Sequence, residues 1–156
     1  MIEDWIKVVI GNLFKTQTGN TPSKKNRSNY GNIIPFIKPP DLINEQIETC
    51  SEYLSKEGGR KGRLLPVGSV LVTCIGNLGR AGMNKFPVAF NQQINAILPN
   101  QHIEPKFTFY QVQSKSFRNK LEKLKSATTV SIVNKSKFDS IPYLVAPLPI
   151  QRAIVS

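Results

Sequence analysis

Residues 69–82 read Ser-Val-Leu-Val-Thr-Cys-Ile-Gly-Asn-Leu-Gly-Arg-Ala-Gly. The first seven, SVLVTCI, are β-branched and apolar and give the best strand in the chain. A strand running into glycines is also how a dinucleotide or phosphate loop begins. Here the glycine spacing is wrong for Gly-x-Gly-x-x-Gly, and no Gly-Lys-Ser/Thr follows. Pro87 also blocks a long helix where such a loop needs one. The glycines therefore predict a β-hairpin turn. Residues 93–98 form a second good strand, stopped by Pro99.

Outward from this centre the chain is cut into short pieces by eleven prolines and ten glycines. Residues 6–10 and 33–38 read as strands, the second closed by Pro39-Pro40, and residues 141–145 as a last one. Residues 51–61 have helical character and end at glycine. Pro105 opens the clearest helical stretch, with Phe107, Tyr110, Phe117, Leu121 and Leu124 on one face at three- and four-residue spacings. Lys115, Arg118, Lys120, Lys123 and Lys125 fill the rest of it. Short strands with few helices between them predict an α+β fold. We expect a single compact domain with a twisted, mainly antiparallel sheet and a few helices, not a doubly wound one.

The 156 residues suit one domain, and a chain of this length buries ~70% of its unfolded surface. No apolar run approaches the ~18 residues of a membrane span. The stretch Met1-Ile2-Glu3-Asp4-Trp5 lacks the basic start and apolar core of a secretory signal. Two cysteines cannot make a disulfide framework, so a cytoplasmic location is expected.

Lysine and arginine number 21 and aspartate and glutamate 10, giving a net charge of +11 and a pI near 9.9. Such an excess calls for a polyanionic partner. It is unevenly spread. Residues 1–57 hold seven acids and seven bases, so the whole excess lies in residues 58–156. Residues 41–57 carry five acids against Lys56 alone, and we expect this stretch to face away from the polyanion.

Catalytic and metal chemistry find no support. The single histidine, His102, has no nearby cysteine or paired carboxylate, and Cys74 lies mid-strand as a small apolar residue. No Ser/His/Asp or Cys/His arrangement stands out. Lys38-Pro39-Pro40-Asp41 lacks the amide or carboxylate before the prolines, and the aromatic after them, that amino-methyltransferase chemistry needs.

A surface that reads bases needs cations on phosphates for position, and Arg, Asn, Gln, Ser or Thr at base edges for sequence. Residues 18–30 form a polar loop offering Lys24 and Lys25 to phosphates and Asn26, Arg27 and Asn29 to bases, with Tyr30 as its anchor. Arg60, Lys61 and Arg63 open a segment without acids. Asn77 and Arg80 sit on the glycine turn, where backbone can come close to a groove. Residues 126–137 present Thr128, Thr129, Ser131 and Lys135 after the basic helix. Asn91-Gln92-Gln93, flanked by Phe90 and Ile94, reads instead as a half-buried structural network.

Several blocks, in one order over nearly the whole chain, carry a resemblance. They are Trp5 with Ile10-Gly11-Asn12-Leu13-Phe14, Thr18-Gly19-Asn20-Thr21-Pro22-Ser23, Ile34 to Leu42, and Tyr53-Leu54-Ser55-Lys56-Glu57-Gly58. They continue with Leu65-Pro66-Val67-Gly68-Ser69, Ile75-Gly76-Asn77-Leu78-Gly79-Arg80, Asn91 to Ile97, Ala127-Thr128-Thr129-Val130, Asn134-Lys135-Ser136 and Pro147-Leu148-Pro149-Ile150-Gln151. Together these resemble the target recognition domain of type I restriction–modification specificity subunits.

The resemblance implies a non-catalytic module that binds double-stranded DNA and reads one half of a bipartite, asymmetric site. In that family two such domains are joined by long helices, whose coiled coil spaces the half-sites and holds modification subunits. Those subunits bind S-adenosylmethionine and methylate adenine, and motor-nuclease subunits cut unmodified DNA. Residues 1–149 would be the recognition domain and residues 150–156 the truncated start of the connecting helix. One departure is Ile150, where the family has an acidic residue. The competing reading is an RNA-binding or ribosome-associated basic domain. It needs exposed aromatics for stacking, and only Tyr30 and Tyr143 are free to serve.

Overall fold

The structure is a computed structural model that describes residues 4–156. Residues 1–3, part of the stretch read for a targeting signal, lie outside the described residues.

The chain opens with β1 (Ile6–Val9), then turns at Ile10 into the short α1 (Ile10–Leu13) and on to β2 (Thr16–Thr18). The polar loop follows and closes with one turn of 3₁₀ helix at Arg27–Asn29 before β3 (Tyr30–Ile37). Pro39 and Pro40 stop β3 as expected, and the Asp41 carboxylate accepts from the Lys38 backbone N–H at 2.9 Å to cap that turn. Next come β4 (Gln46–Ile47), β5 (Glu52–Leu54), α2 (Lys56–Lys61), β6 (Val70–Thr73), β7 (Ala81–Asn84), β8 (Ala89–Phe90) and β9 (Ile94–Ile97). The remainder is α3 (Pro105–Gln113), α4 (Lys115–Lys123), α5 (Lys135–Asp139), β10 (Pro142–Val145) and α6 (Leu148–Val155).

The α+β class and the mainly antiparallel pairing hold, with the strands divided among three sheets. The central one has the order β2-β9-β6-β7-β4, in which only β4 runs parallel to its neighbour. A second sheet has the order β5-β3-β8, and β1 pairs with β10 as a separate ribbon. The expected hairpin is β6–β7, with Val70 opposite Met83. Its turn needs Gly76 at φ 74° and Gly79 at φ 90°, values that side chains with a Cβ rarely adopt.

The unbroken apolar run of β6 has a simple cause: both of its faces are covered. Val70 and Val72 pack with Phe107, Val112, Phe117, Leu121, Phe138 and Tyr143. Leu71, between them, points to the other side with Ile37, Val88, Phe90, Ile94 and Ala96. A strand buried on one face would alternate instead.

Three local expectations change. Residues 51–61 are not one helix: Glu52–Leu54 is a strand paired antiparallel to β3, and the helix starts only after Ser55, whose hydroxyl accepts from the Gly58 N–H at 3.0 Å. The stretch after Pro105 is two helices, broken at Ser114, which caps α4 by accepting from the Phe117 N–H. Within α3 the buried face is Phe107, Thr108 and Val112, and Tyr110 lies exposed beside it. At the far end Gln151 is buried, accepting from the Glu104 N–H at 2.8 Å and donating to the Ala146 carbonyl at 2.8 Å, which docks α6.

Candidate nucleic-acid interface

The polar loop at residues 18–30 is fastened along its length. Asn20 donates to the Lys61 carbonyl at 2.8 Å, and the Thr21 hydroxyl to the Gln92 side chain at 2.5 Å. The Tyr30 hydroxyl donates to the Pro22 carbonyl at 2.6 Å. Asn26 caps the 3₁₀ turn by accepting from the Ser28 N–H. Beneath the loop lies α2, and a Cβ at Gly58 would stand 1.8 Å from the Asn29 carbonyl oxygen. Only glycine lets the two backbones come so close.

Asn29 corrects an expectation. It is buried, with its amide donating to the Ser23 carbonyl at 2.9 Å and its oxygen accepting from the Lys61 ammonium at 2.8 Å. It builds the loop and has no edge left for a base. Arg63 is likewise partly committed, donating to the Thr18 carbonyl at 2.6 Å. Lys24, Lys25, Asn26, Arg27 and Arg60 stay exposed, and Lys25, Arg27 and Arg60 have no carboxylate partner among the described residues. Tyr30 is half-buried under the Lys24 ammonium, 5.8 Å from the ring centroid. Burial first, and the Glu52 carboxylate second, raise its hydroxyl pKa above the ordinary value.

The glycine turn meets residues 126–135. The Gly76 N–H donates to the Ser131 carbonyl at 2.8 Å, and Ile75 pairs with Ile132. A cleft of about 170 Å³ lies here, bounded by Thr18, Gln92, Asn95, Ile132, Asn134 and Lys135. One face thus gathers the start of the polar loop, residues 61–63, the turn at Ile75 and residues 131–135. Asn77, Thr128, Thr129 and Lys135 are exposed on these segments. Lys135 also pairs with Asp139 at 2.9 Å, and the Thr128 hydroxyl donates to the Val130 carbonyl at 2.7 Å.

Arg80 is not brought to this face as expected. Half-buried, it donates from Nε to the Leu42 carbonyl at 3.3 Å, on the side of the 3₁₀ turn at residues 39–41. Tyr143 is buried in the core, with its hydroxyl 2.9 Å from that of Thr108, so it offers no stacking surface.

The acidic stretch is not a separate face either. Glu45 pairs with Lys106, Glu48 with Lys85 and Glu57 with Lys61, at 3.5, 3.3 and 3.3 Å. Hydrogen bonds from Ser28 and then Lys61 hold the Glu57 carboxyl below its usual pKa. Glu52 lies 3.2 Å from Lys38 and 3.5 Å from Lys24, inside the cationic loop. Two further side chains line the cleft beside the glycine turn: Gln92, expected in a half-buried structural network, and Asn134, which also caps α5 by accepting from the Lys137 N–H at 3.0 Å. Asn91 is buried as expected, but Gln92 is exposed. Its signal was its place in the polar turn between β8 and β9, where side chains can stay at the surface. Among the described residues no group of three His, Cys, Asp or Glu side chains is placed to hold a metal ion. None of the described helices is long and apolar enough to cross a membrane.

A cationic face with amides and hydroxyls between its charges defines the class of polyanion-binding domains. The family model for the type I restriction modification DNA specificity domain matches residues 2–156. The chain belongs to that family. It is 31% identical over 160 residues to the type I restriction enzyme HindI specificity subunit of Haemophilus influenzae, covering 97% of this chain and 35% of that protein. It is 27% identical to the MjaIX specificity subunit of Methanocaldococcus jannaschii, covering 90% of this chain and 34% of that protein. The fold matches the HsdS subunit of Thermoanaerobacter tengcongensis with a TM-score of 0.76 at 19% identity, over 97% of this chain and 35% of that one. The S subunit of M. genitalium matches with a TM-score of 0.61 at 16% identity, over 90% and 34%. The chain thus spans about a third of the length of these relatives.

Proposed function

We propose that this chain is a sequence-reading, non-catalytic DNA-binding domain that recognises one half of a bipartite site for a type I restriction–modification complex. One observation carries the reading. The loop at residues 18–30 is fastened to α2 and to Gln92, so its backbone sets phosphate-seeking cations (Lys24, Lys25) and base-reading groups (Asn26, Arg27) at defined positions beside Arg60 and Gln92. Fixed geometry is what sequence readout requires, because a base-edge hydrogen bond discriminates only from a held donor or acceptor. The burial of Tyr143 works against the RNA alternative, which needs exposed stacking rings.

In this reading the recognition domain passes near residue 149 into the helix that leads to a second one, and α6 starts at Leu148, two residues ahead of the expected start at 150. Ile150 and Ile154, four residues apart and exposed on α6, support that continuation. Modification subunits with S-adenosylmethionine would supply methyl transfer, motor-nuclease subunits would cut, and the assembly would work in the cytoplasm.

The test is selection of bound sequences from a random duplex pool, with gel-shift affinity of this chain beside one extended through the helices and a second domain. A short conserved half-site and weak binding by the short chain are expected. A second half-site on a stiff spacer should strengthen binding by ~10²–10⁴. Tight nanomolar binding by residues 1–156 alone, or methyl transfer by them, overturns the architecture.

A further inference from the structure

Glu52, the first residue of β5, is out of place beside a polyanion-binding loop. The other glutamates of residues 41–57 each pair with one lysine, whereas Glu52 lies between Lys24 and Lys38. It lines a cleft of about 370 Å³ with Lys24, Arg27 and Tyr30. Its side chain is 29% exposed. Both lysines meet the same oxygen, Oε1, and Oε2 has no hydrogen-bond partner among the described residues. The cleft is firmly built: Tyr30 is tied to Pro22, and β5 pairs with β3 at Phe36–Glu52. A carboxylate with one oxygen held by lysine and the other open therefore sits beside the exposed Arg27.

A phosphate would be repelled by that oxygen. In the major groove of a duplex, only the exocyclic amino groups of cytosine and adenine donate to it. Adenine sets the N7 acceptor beside its amino group, and guanine presents two acceptors, O6 and N7. Cytosine presents its N4 amino group with no acceptor on the same base edge. We infer that Glu52 is a specificity-determining residue whose open carboxylate oxygen selects cytosine at one position of the half-site, with Lys38 holding its other oxygen at 3.2 Å. This inference rests on the DNA-reading function proposed above.

Bound-sequence selection at low salt tests it, using the full chain, Glu52→Gln, Glu52→Asp and Lys24→Gln, with thermal unfolding of each variant. The unaltered chain should show one cytosine preferred by roughly 5- to 150-fold, the range one good base contact supplies. Glu52→Gln should move that position toward adenine, which a glutamine amide can bind through two hydrogen bonds, and leave the other positions intact. Glu52→Asp keeps the charge but withdraws the oxygen by one methylene, and should lose the cytosine preference; it decides the matter if the Gln variant does not fold. Lys24→Gln should weaken all sequences while keeping the cytosine. An equal gain by Glu52→Gln on every sequence would make the residue a mere charge balance and overturn the inference. So would a patterned half-site with no cytosine, which leaves the DNA-reading function standing. Binding without any sequence pattern overturns both.

Discussion

Lys61 donates from its ammonium to the side-chain carbonyl of Asn29 at 2.8 Å, joining α2 to the polar loop across 32 residues of chain. The same amide holds the Ser23 carbonyl from its other end. Asn29→Ala therefore leaves the Ser23 carbonyl without its donor and the Lys61 ammonium with Glu57 alone. Loss of ~1–3 kcal/mol of stability is expected in chemical denaturation, since buried polar groups cost that much when unpaired. DNA binding should fall more than for Lys25→Ala, because the whole loop loosens.

Arg27 and Arg80 should behave differently. Arg27 is exposed beside Lys24 and Tyr30, and Arg27→Ala should relax base preference at one position at a cost of ~1–3 kcal/mol. Arg80 is bonded to the Leu42 carbonyl, so Arg80→Ala should lower the melting temperature and leave the selected sequence unchanged. Lys123→Ala, on the exposed basic face of α4, should weaken all sequences alike. A shifted base preference with Arg80→Ala would return that residue to the interface.

Binding should depend steeply on salt. If four to six of the exposed lysines and arginines neutralise phosphates, log K should fall against log salt with a slope of roughly −4 to −5. A flat titration by fluorescence anisotropy rejects DNA as the partner.

Glu45 and Glu48 pair with Lys106 and Lys85, away from the polar loop. Their joint change to glutamine should leave the bound sequence intact and raise affinity slightly through the lost negative charge. A new base preference would place this side of the molecule against DNA.

The two cysteines should separate under alkylation. Cys74 is buried, and burial pushes its thiol up to about 12, so at pH 8 it stays protonated and inaccessible. Cys50 is half-exposed, donating to the Glu52 carbonyl at 3.2 Å. Mass spectrometry after iodoacetamide should find Cys50 modified and Cys74 intact in the folded protein, and both modified in denaturant. Modification of native Cys74 would mean that β6 opens readily.

Much of this molecule was legible along the chain. The run at residues 69–75, its glycine turn and the returning strands depend on neighbours a few residues away, and β-branched side chains and glycine conformations act at that range. The division of residues 51–61 was not legible. Glu52–Leu54 is a strand because β3 lies beside it, a partner that no local propensity reveals. The single helical stretch after Pro105 failed for the opposite, local reason: a serine cap within an otherwise regular apolar spacing.

The family blocks and the excess of positive charge were determined by the sequence itself, because residue identity and net charge do not depend on the fold. Which charges remain free to meet DNA was decided by the tertiary structure alone. Lys24 and Lys38 converge on Glu52, Lys61 turns inward to Asn29, and Arg80 reaches Leu42 across 38 residues. A lysine at the end of four methylenes goes wherever the fold sets an acceptor within its reach. That acceptor is placed by strand pairing and loop closure far away in sequence.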